Sequence, residues 1–177
     1  MLPILLALAF IAILFIVVIA GQPDEFKVVR SARISARTEQ IFQHVNDLHK
    51  WEAWSPWAKL DPNAKSSFDG ASAGVGAAMS WDGNKKIGAG KMTITESRPG
   101  ELIRIRLEFI RPFQATNTAE FTFNPDGNQS LVTWSMFGQN NFGGKILGLF
   151  MNCDKMVGGD FEKGLAAMKS VMQSAQS

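Results

Sequence analysis

From Leu2 to Ala20 the chain carries nineteen consecutive residues without a charge, and the first charged side chain is Asp24. As a helix this run is about 28 Å long at about 1.5 Å per residue, close to the roughly 30 Å hydrocarbon core of a bilayer. Fourteen of the nineteen are Leu, Ile, Phe or Val, which favours insertion by roughly 4 to 8 kcal/mol as an upper bound. A core helix of a soluble domain would show a polar stripe at the 3.6-residue period, and this run has none. A cleaved secretory signal is the competing reading, with Val18-Ile19-Ala20 before Gly21 as the cleavage site. Such signals place Lys or Arg ahead of roughly 7 to 15 apolar residues, whereas only Met1 precedes this longer stretch. The cations Lys27, Arg30, Arg33 and Arg37 follow the run, so the positive-inside rule predicts a single-pass anchor with the carboxyl-terminal domain on the cytoplasmic side. Lys27, Arg30 and Arg33 are also candidates to touch anionic headgroups.

The expected division is an anchor over residues 1–21, a linker over 22–26 and one domain over 27–177. About 150 residues suffice for a single full core. The 18 basic and 16 acidic residues are spread along the chain, without the basic stripe that a phosphate backbone requires, so nucleic acid is not an expected partner. Cys153 is the single cysteine, which leaves no intrachain disulfide and no cysteine-based metal site; it reads as a small buried hydrophobe. Asn128-Gln129-Ser130 matches a glycosylation acceptor but reads as turn chemistry.

Period-two alternation predicts strands. Val28, Ala32 and Ile34 share a face after the linker. Met79 and Trp81 pair on one strand, Met92 and Ile94 on the next. Ile103, Ile105, Leu107 and Phe109 alternate with Arg104, Arg106 and Glu108, a pattern that keeps one face in the core and one in water. Ala119, Phe121 and Phe123, then Val132, Trp134 and Met136, flank the turn Pro125-Asp126-Gly127-Asn128. Two short helices interrupt the first strands: one carries Ile41, Phe42 and Val45, and a second, Leu48 to Trp54, is capped by Asn46 or Asp47 and stopped by Ser55-Pro56. Residues 59–76 read as loop or a weak edge strand. After Phe142 the apolar period changes to three or four, predicting a short helix near 145–151, a joint, and a long helix to about Gln173. Gly158-Gly159 inside that helix signals a bend or a close approach.

Asn46-Asp47-Leu48 leading into Trp51-Glu52-Ala53-Trp54-Ser55-Pro56-Trp57, the strand Val132-Thr133-Trp134-Ser135-Met136, and the ending Asp160-Phe161-Glu162-Lys163-Gly164-Leu165-Ala166-Ala167-Met168-Lys169 together resemble the START-like (SRPBCC) superfamily in its polyketide cyclase-type branch. The resemblance covers roughly Phe26 to Gln173. It implies an α+β helix-grip fold: a curved antiparallel sheet of about six or seven strands around a long carboxyl-terminal helix, here preceded by one transmembrane helix. It also implies a hydrophobic cavity between sheet and helix, used elsewhere in the superfamily for lipids, sterols, polyketides or plant hormones.

Five tryptophans and thirteen phenylalanines with no tyrosine make an interior suited to an apolar guest. The expected ligand-binding walls are Trp54, Trp57, Met79, Trp81, Met92, Phe109, Phe121, Trp134, Met136, Phe150 and Phe161, and each also suits plain core packing. Catalytic groups are sparse. His44 and His49 lie five apart, off the spacing of a helical metal pair, and Asp82 and Glu96 sit at strand ends, where a carboxylate could act as base in a cyclase-like or hydratase-like reaction and turn solvation explains each equally well. No catalytic residue, metal or cofactor is assigned, and no partner protein is indicated. The expected function is membrane-anchored binding of a hydrophobic small molecule or lipid. A cyclase- or dehydratase-type enzyme using the same cavity and a protein-interaction module with a vestigial pocket are the alternatives.

Overall fold

In the computed structural model, which describes residues 1–140, 142–150 and 152–175, the alternating segments pair into one seven-stranded antiparallel sheet. The elements run α1 (Leu2–Ala20), β1 (Glu25–Ile34), α2 (Thr38–Asn46), a 3-10 turn (Leu48–Ala53), β2 (Lys65–Gly70), β3 (Ala77–Asp82), β4 (Ala89–Arg98), β5 (Leu102–Arg111), β6 (Ala115–Asp126), β7 (Gln129–Gln139), α3 (Phe142–Phe150) and α4 (Cys153–Ser174). The strand order is β1-β7-β6-β5-β4-β3-β2, so β1 returns beside the last strand and β2 forms the far edge. The sheet curves, and α4 packs across its inner face beside β1 and the 3-10 turn. This is the α+β helix-grip architecture.

The inner face is the apolar set of each strand. Val28, Ile34, Met92, Ile94, Ile103, Ile105, Ala119, Phe121, Phe123, Val132, Trp134 and Met136 are buried, and α4 answers with Phe161, Leu165, Met168 and Met172. Spacings of three and four put those four on one helical stripe. The outer face of β4, β5 and β6 carries charge: Arg104 reaches Glu96 on β4 and Glu120 on β6, and Arg106 pairs with Glu108. The two Arg104 pairs cross strands and hold register while leaving the face wet. The two-residue turn Gly127-Asn128 links β6 to β7 with Asp126 opposite Gln129.

The second short helix forms over residues 48–53 as a 3-10 turn capped by Asp47, whose carboxylate accepts the His49 backbone N–H at 3.0 Å. The edge strand does form, as β2, and every one of its residues is exposed. Arg30 and Arg33, the candidates for headgroup contact, each pair with acidic side chains of the domain, Arg33 while 66% exposed. Arg30 lies on the inner parity of β1 with Val28, and donates to Asp154 and Glu162 of α4 at 3.0 and 2.7 Å; Arg33 pairs with Asp126 at 2.6 Å. Gly158 is the close approach of the glycine pair: a Cβ there would lie 2.1 Å from the Arg30 guanidinium, whereas one on Gly159 meets nothing within 4 Å. The expectation for Cys153 falls on a side chain outside the described set.

Candidate functional site: an aromatic interior under the terminal helix

Side chains at i and i+3 eclipse on a 3-10 turn, and this brings Trp51 and Trp54 onto one face with ring centroids 4.6 Å apart. They point into the concavity between the sheet and α4. There Trp134 of β7 lies between two parallel neighbours: Phe161 of α4 at 4.0 Å with planes 8° apart, and Phe121 of β6 at 4.8 Å and 28°. Trp51, Trp54 and Trp57 meet the Trp134 ring edge-on, at 6.3, 5.6 and 5.7 Å. Both arrangements suit aromatic quadrupoles. Gly164 is what lets α4 seat so closely, since a Cβ there would stand 2.8 Å from the Trp134 ring and 3.0 Å from Pro56.

Four of the expected wall residues, Trp54, Phe121, Trp134 and Phe161, thus meet in one buried cluster, and Trp57 closes its rim. Met92 and Met136 are buried on the same sheet face. Trp81 and Phe109 form a separate edge-to-face pair at 5.9 Å, part-buried toward the β3 to β5 side, where Met79 also packs against the core. The Phe150 side chain lies outside the described set. Trp51 was absent from the expected walls, although it touches Trp54, Phe121 and Trp134; its three-residue spacing from Trp54 was the available signal.

Polar groups in this interior are few. The indole N–H of Trp51 donates to the Val45 carbonyl at 2.9 Å, that of Trp54 to the His44 carbonyl at 3.1 Å, and that of Trp81 to the Ile87 carbonyl at 3.1 Å. Trp134, 2% exposed, has no acceptor for its Nε1. His44 Nδ1 is also buried without a partner. Burial pushes the His44 pKa below the usual imidazole value, Lys50 adds to the effect, and Asp47 opposes it.

The carboxylates weighed for acid–base work face away. Asp82 pairs with Arg111, and Glu96 pairs with Arg104 and Arg98. His49 is exposed and stacks on Phe68 at 3.9 Å. Among the described residues no group of His, Cys, Asp or Glu is arranged to hold a metal. An open groove of about 240 Å³ lies elsewhere, at the β2 edge, lined by Leu48, His49, Phe68, Asp69 and Ala77 among others. It includes none of the expected walls and is smaller than the roughly 300 to 1,000 Å³ of typical ligand pockets.

Comparison with known proteins places this geometry. Protein Ms6760 from Mycobacterium smegmatis superposes with a TM-score of 0.60 at 16% identity, covering 84% of this chain and 92% of that one. Protein CV1439 from Chromobacterium violaceum gives 0.58 at 15%, covering 85% and 97%. CalU16 from Micromonospora echinospora gives 0.57 at 12%, covering 82% and 73%. At such identities the likeness is one of fold. No curated protein matches the chain. The family model described as polyketide cyclase / dehydrase and lipid transport matches residues 25–173, the whole of the sheet and nearly all of α4, and the chain belongs to that family.

Proposed function

We propose that this protein binds a hydrophobic small molecule or lipid between its curved sheet and α4, and holds it beside a membrane in which α1 is anchored, with the domain on the cytoplasmic side. The Trp134 indole carries this reading. Its N–H is buried among the described residues without an acceptor, and a buried N–H left so costs about 1–3 kcal/mol. A guest with an apolar body and one carbonyl or hydroxyl oxygen relieves that cost while keeping the surrounding rings dry. The Trp134–Phe161 stack is closed, so entry of the guest requires Phe161 and α4 to yield. The family description, which includes lipid transport, supports the same class of guest.

Native mass spectrometry of the full chain released from detergent tests this, with dibromostearic acid as probe. The expected result is one apolar adduct per chain and quenching of tryptophan emission, both weakened in Trp134→Phe, which removes the N–H and keeps the ring. Absence of any adduct together with no quenching beyond that of an unrelated membrane protein overturns the reading.

A further inference from the structure

The antiparallel register assigns every turn to one of the two ends of the sheet. Glu25, where β1 leaves α1, lies opposite Gln139 at the end of β7, and Asn117 near the start of β6 pairs with Gly138. Phe109 near the end of β5 pairs with Ala115, and Arg111 lies opposite Ala89 at the start of β4. The α1 junction, α3, the β5–β6 turn and the β3–β4 turn therefore share one end. The β4–β5 and β6–β7 turns share the other.

The two ends differ in what they expose. On the α1 end, Phe113 in the β5–β6 turn is 65% exposed, Ile110 beside it 55%, and Phe142 at the start of α3 60%. Lys85 and Lys86 are exposed in the β3–β4 turn. At the opposite end, residues 98–101 and 124–128 include no exposed large apolar side chain, and the β2–β3 turn exposes a single aliphatic one, Val75, at 59%. α3 continues the pattern: its single charge, Lys145, turns back to Asp24 at 2.6 Å and is only 13% exposed, and the helix packs against α1.

We infer that this end of the domain is a bilayer-docking rim. Phe113 and Phe142 enter the acyl boundary of the leaflet that α1 leaves, and Lys85 and Lys86 meet anionic headgroups. The occupant is a lipid surface because α3, which carries Phe142, packs against α1, whose length and composition suit a span, because Phe113 lies at the same end of the sheet, and because the exposed lysines complement anionic lipid. Adjacent strands are about 4.8 Å apart, so the β3–β4 turn stands roughly 20 Å from α1 along the sheet, within the footprint of one domain. Each lysine near such a surface adds to the attraction. The inference rests on α1 being a membrane anchor, and its test separates the two.

Full-length protein with Cys153→Ser as background is reconstituted in phosphatidylcholine vesicles containing phosphatidylglycerol, with spin labels at Leu8→Cys, Phe113→Cys, Phe142→Cys or Asn128→Cys. Accessibility to oxygen and to a water-soluble nickel chelate reports the depth of each. Labels at 8, 113 and 142 are expected to favour oxygen, the last two at shallow depth, and the label at 128 to favour the chelate. Lys85→Glu with Lys86→Glu is expected to return the 113 label to water while the 8 label stays in lipid. Lipid contact at 8 with water at both 113 and 142 overturns the rim and leaves the anchor standing. Water at 8 overturns the anchor, and the rim with it. Spin–spin broadening between chains with 113 and 142 out of lipid assigns the patch to a second copy and also overturns the rim.

Discussion

The indole of Trp134 on β7 and the ring of Phe161 on α4 lie face to face, 4.0 Å apart and 8° from parallel, and through them the terminal helix is fastened to the strand next to the β1 edge of the sheet. Both residues are buried, at 2% and 1% exposure. Phe161→Ala removes one side of the stack and leaves a void, so it is expected to lower stability by about 3–5 kcal/mol. Urea unfolding of the full chain in mild detergent, followed by tryptophan emission, checks this; a loss under about 1 kcal/mol would show that α4 is held by other contacts.

Two glycines of α4 make opposite predictions. Nothing lies within 4 Å of a Cβ built on Gly159, whereas one on Gly164 meets the Trp134 ring and Pro56. Gly159→Ala is expected to raise stability by about 0.5–1 kcal/mol through helix propensity. Gly164→Ala is expected to lower it by about 1–3 kcal/mol through overpacking. Equal effects at the two positions would contradict the described seating of the helix.

Arg30 joins β1 to α4 through Asp154 and Glu162. The guanidinium holds the Asp154 carboxyl below its usual pKa, chiefly by hydrogen bonding. Its partners are more than half exposed, so screening keeps the coupling small. A double-mutant cycle of Arg30→Met and Glu162→Gln is expected to give a small favourable coupling at low salt and less at high salt. A coupling of zero at low ionic strength would mean that the pair is not formed in solution.

His44 predicts a pH effect. Its pKa is lowered in the folded state, mainly by burial, so below the ordinary imidazole value of about 6.5 the unfolded chain binds more protons. The stability that its neutral form contributes is full above that value and is lost as pH falls through the folded value. Between about pH 7.5 and about pH 5 the wild type is expected to lose more in Tm than His44→Gln. Parallel curves would show that His44 titrates freely.

How much of this was readable in advance follows from range. The alternation of Ile103, Ile105, Leu107 and Phe109 specified a one-sided strand because burial parity is a local property, and the change of period after Phe142 specified helix in the same way. The role of Arg30 was not local. Its parity with Val28 put a cation on the inner face, but only the arrival of Asp154 and Glu162, more than 120 residues later, explains why it is tolerated there. Trp51 shows the same limit at the site. Its three-residue spacing from Trp54 puts the two on one face of either helix type, but its contacts with Phe121 and Trp134 depend on β6 and β7, about 70 and 80 residues on. The end-to-end asymmetry of the sheet was likewise hidden, because Phe113 and Phe142 become neighbours of the α1 junction only through strand register.

Only residues 21–24 separate α1 from β1, and they are not slack. The Asn140 backbone N–H donates to the Asp24 carbonyl at 2.7 Å, and its side-chain amide donates to the Pro23 carbonyl at 3.1 Å. Such a junction acts as a bracket rather than a leash. If α1 is seated in a bilayer, as proposed, the domain forfeits most of its tumbling, and its orientations are confined to a narrow cone above a two-dimensional plane.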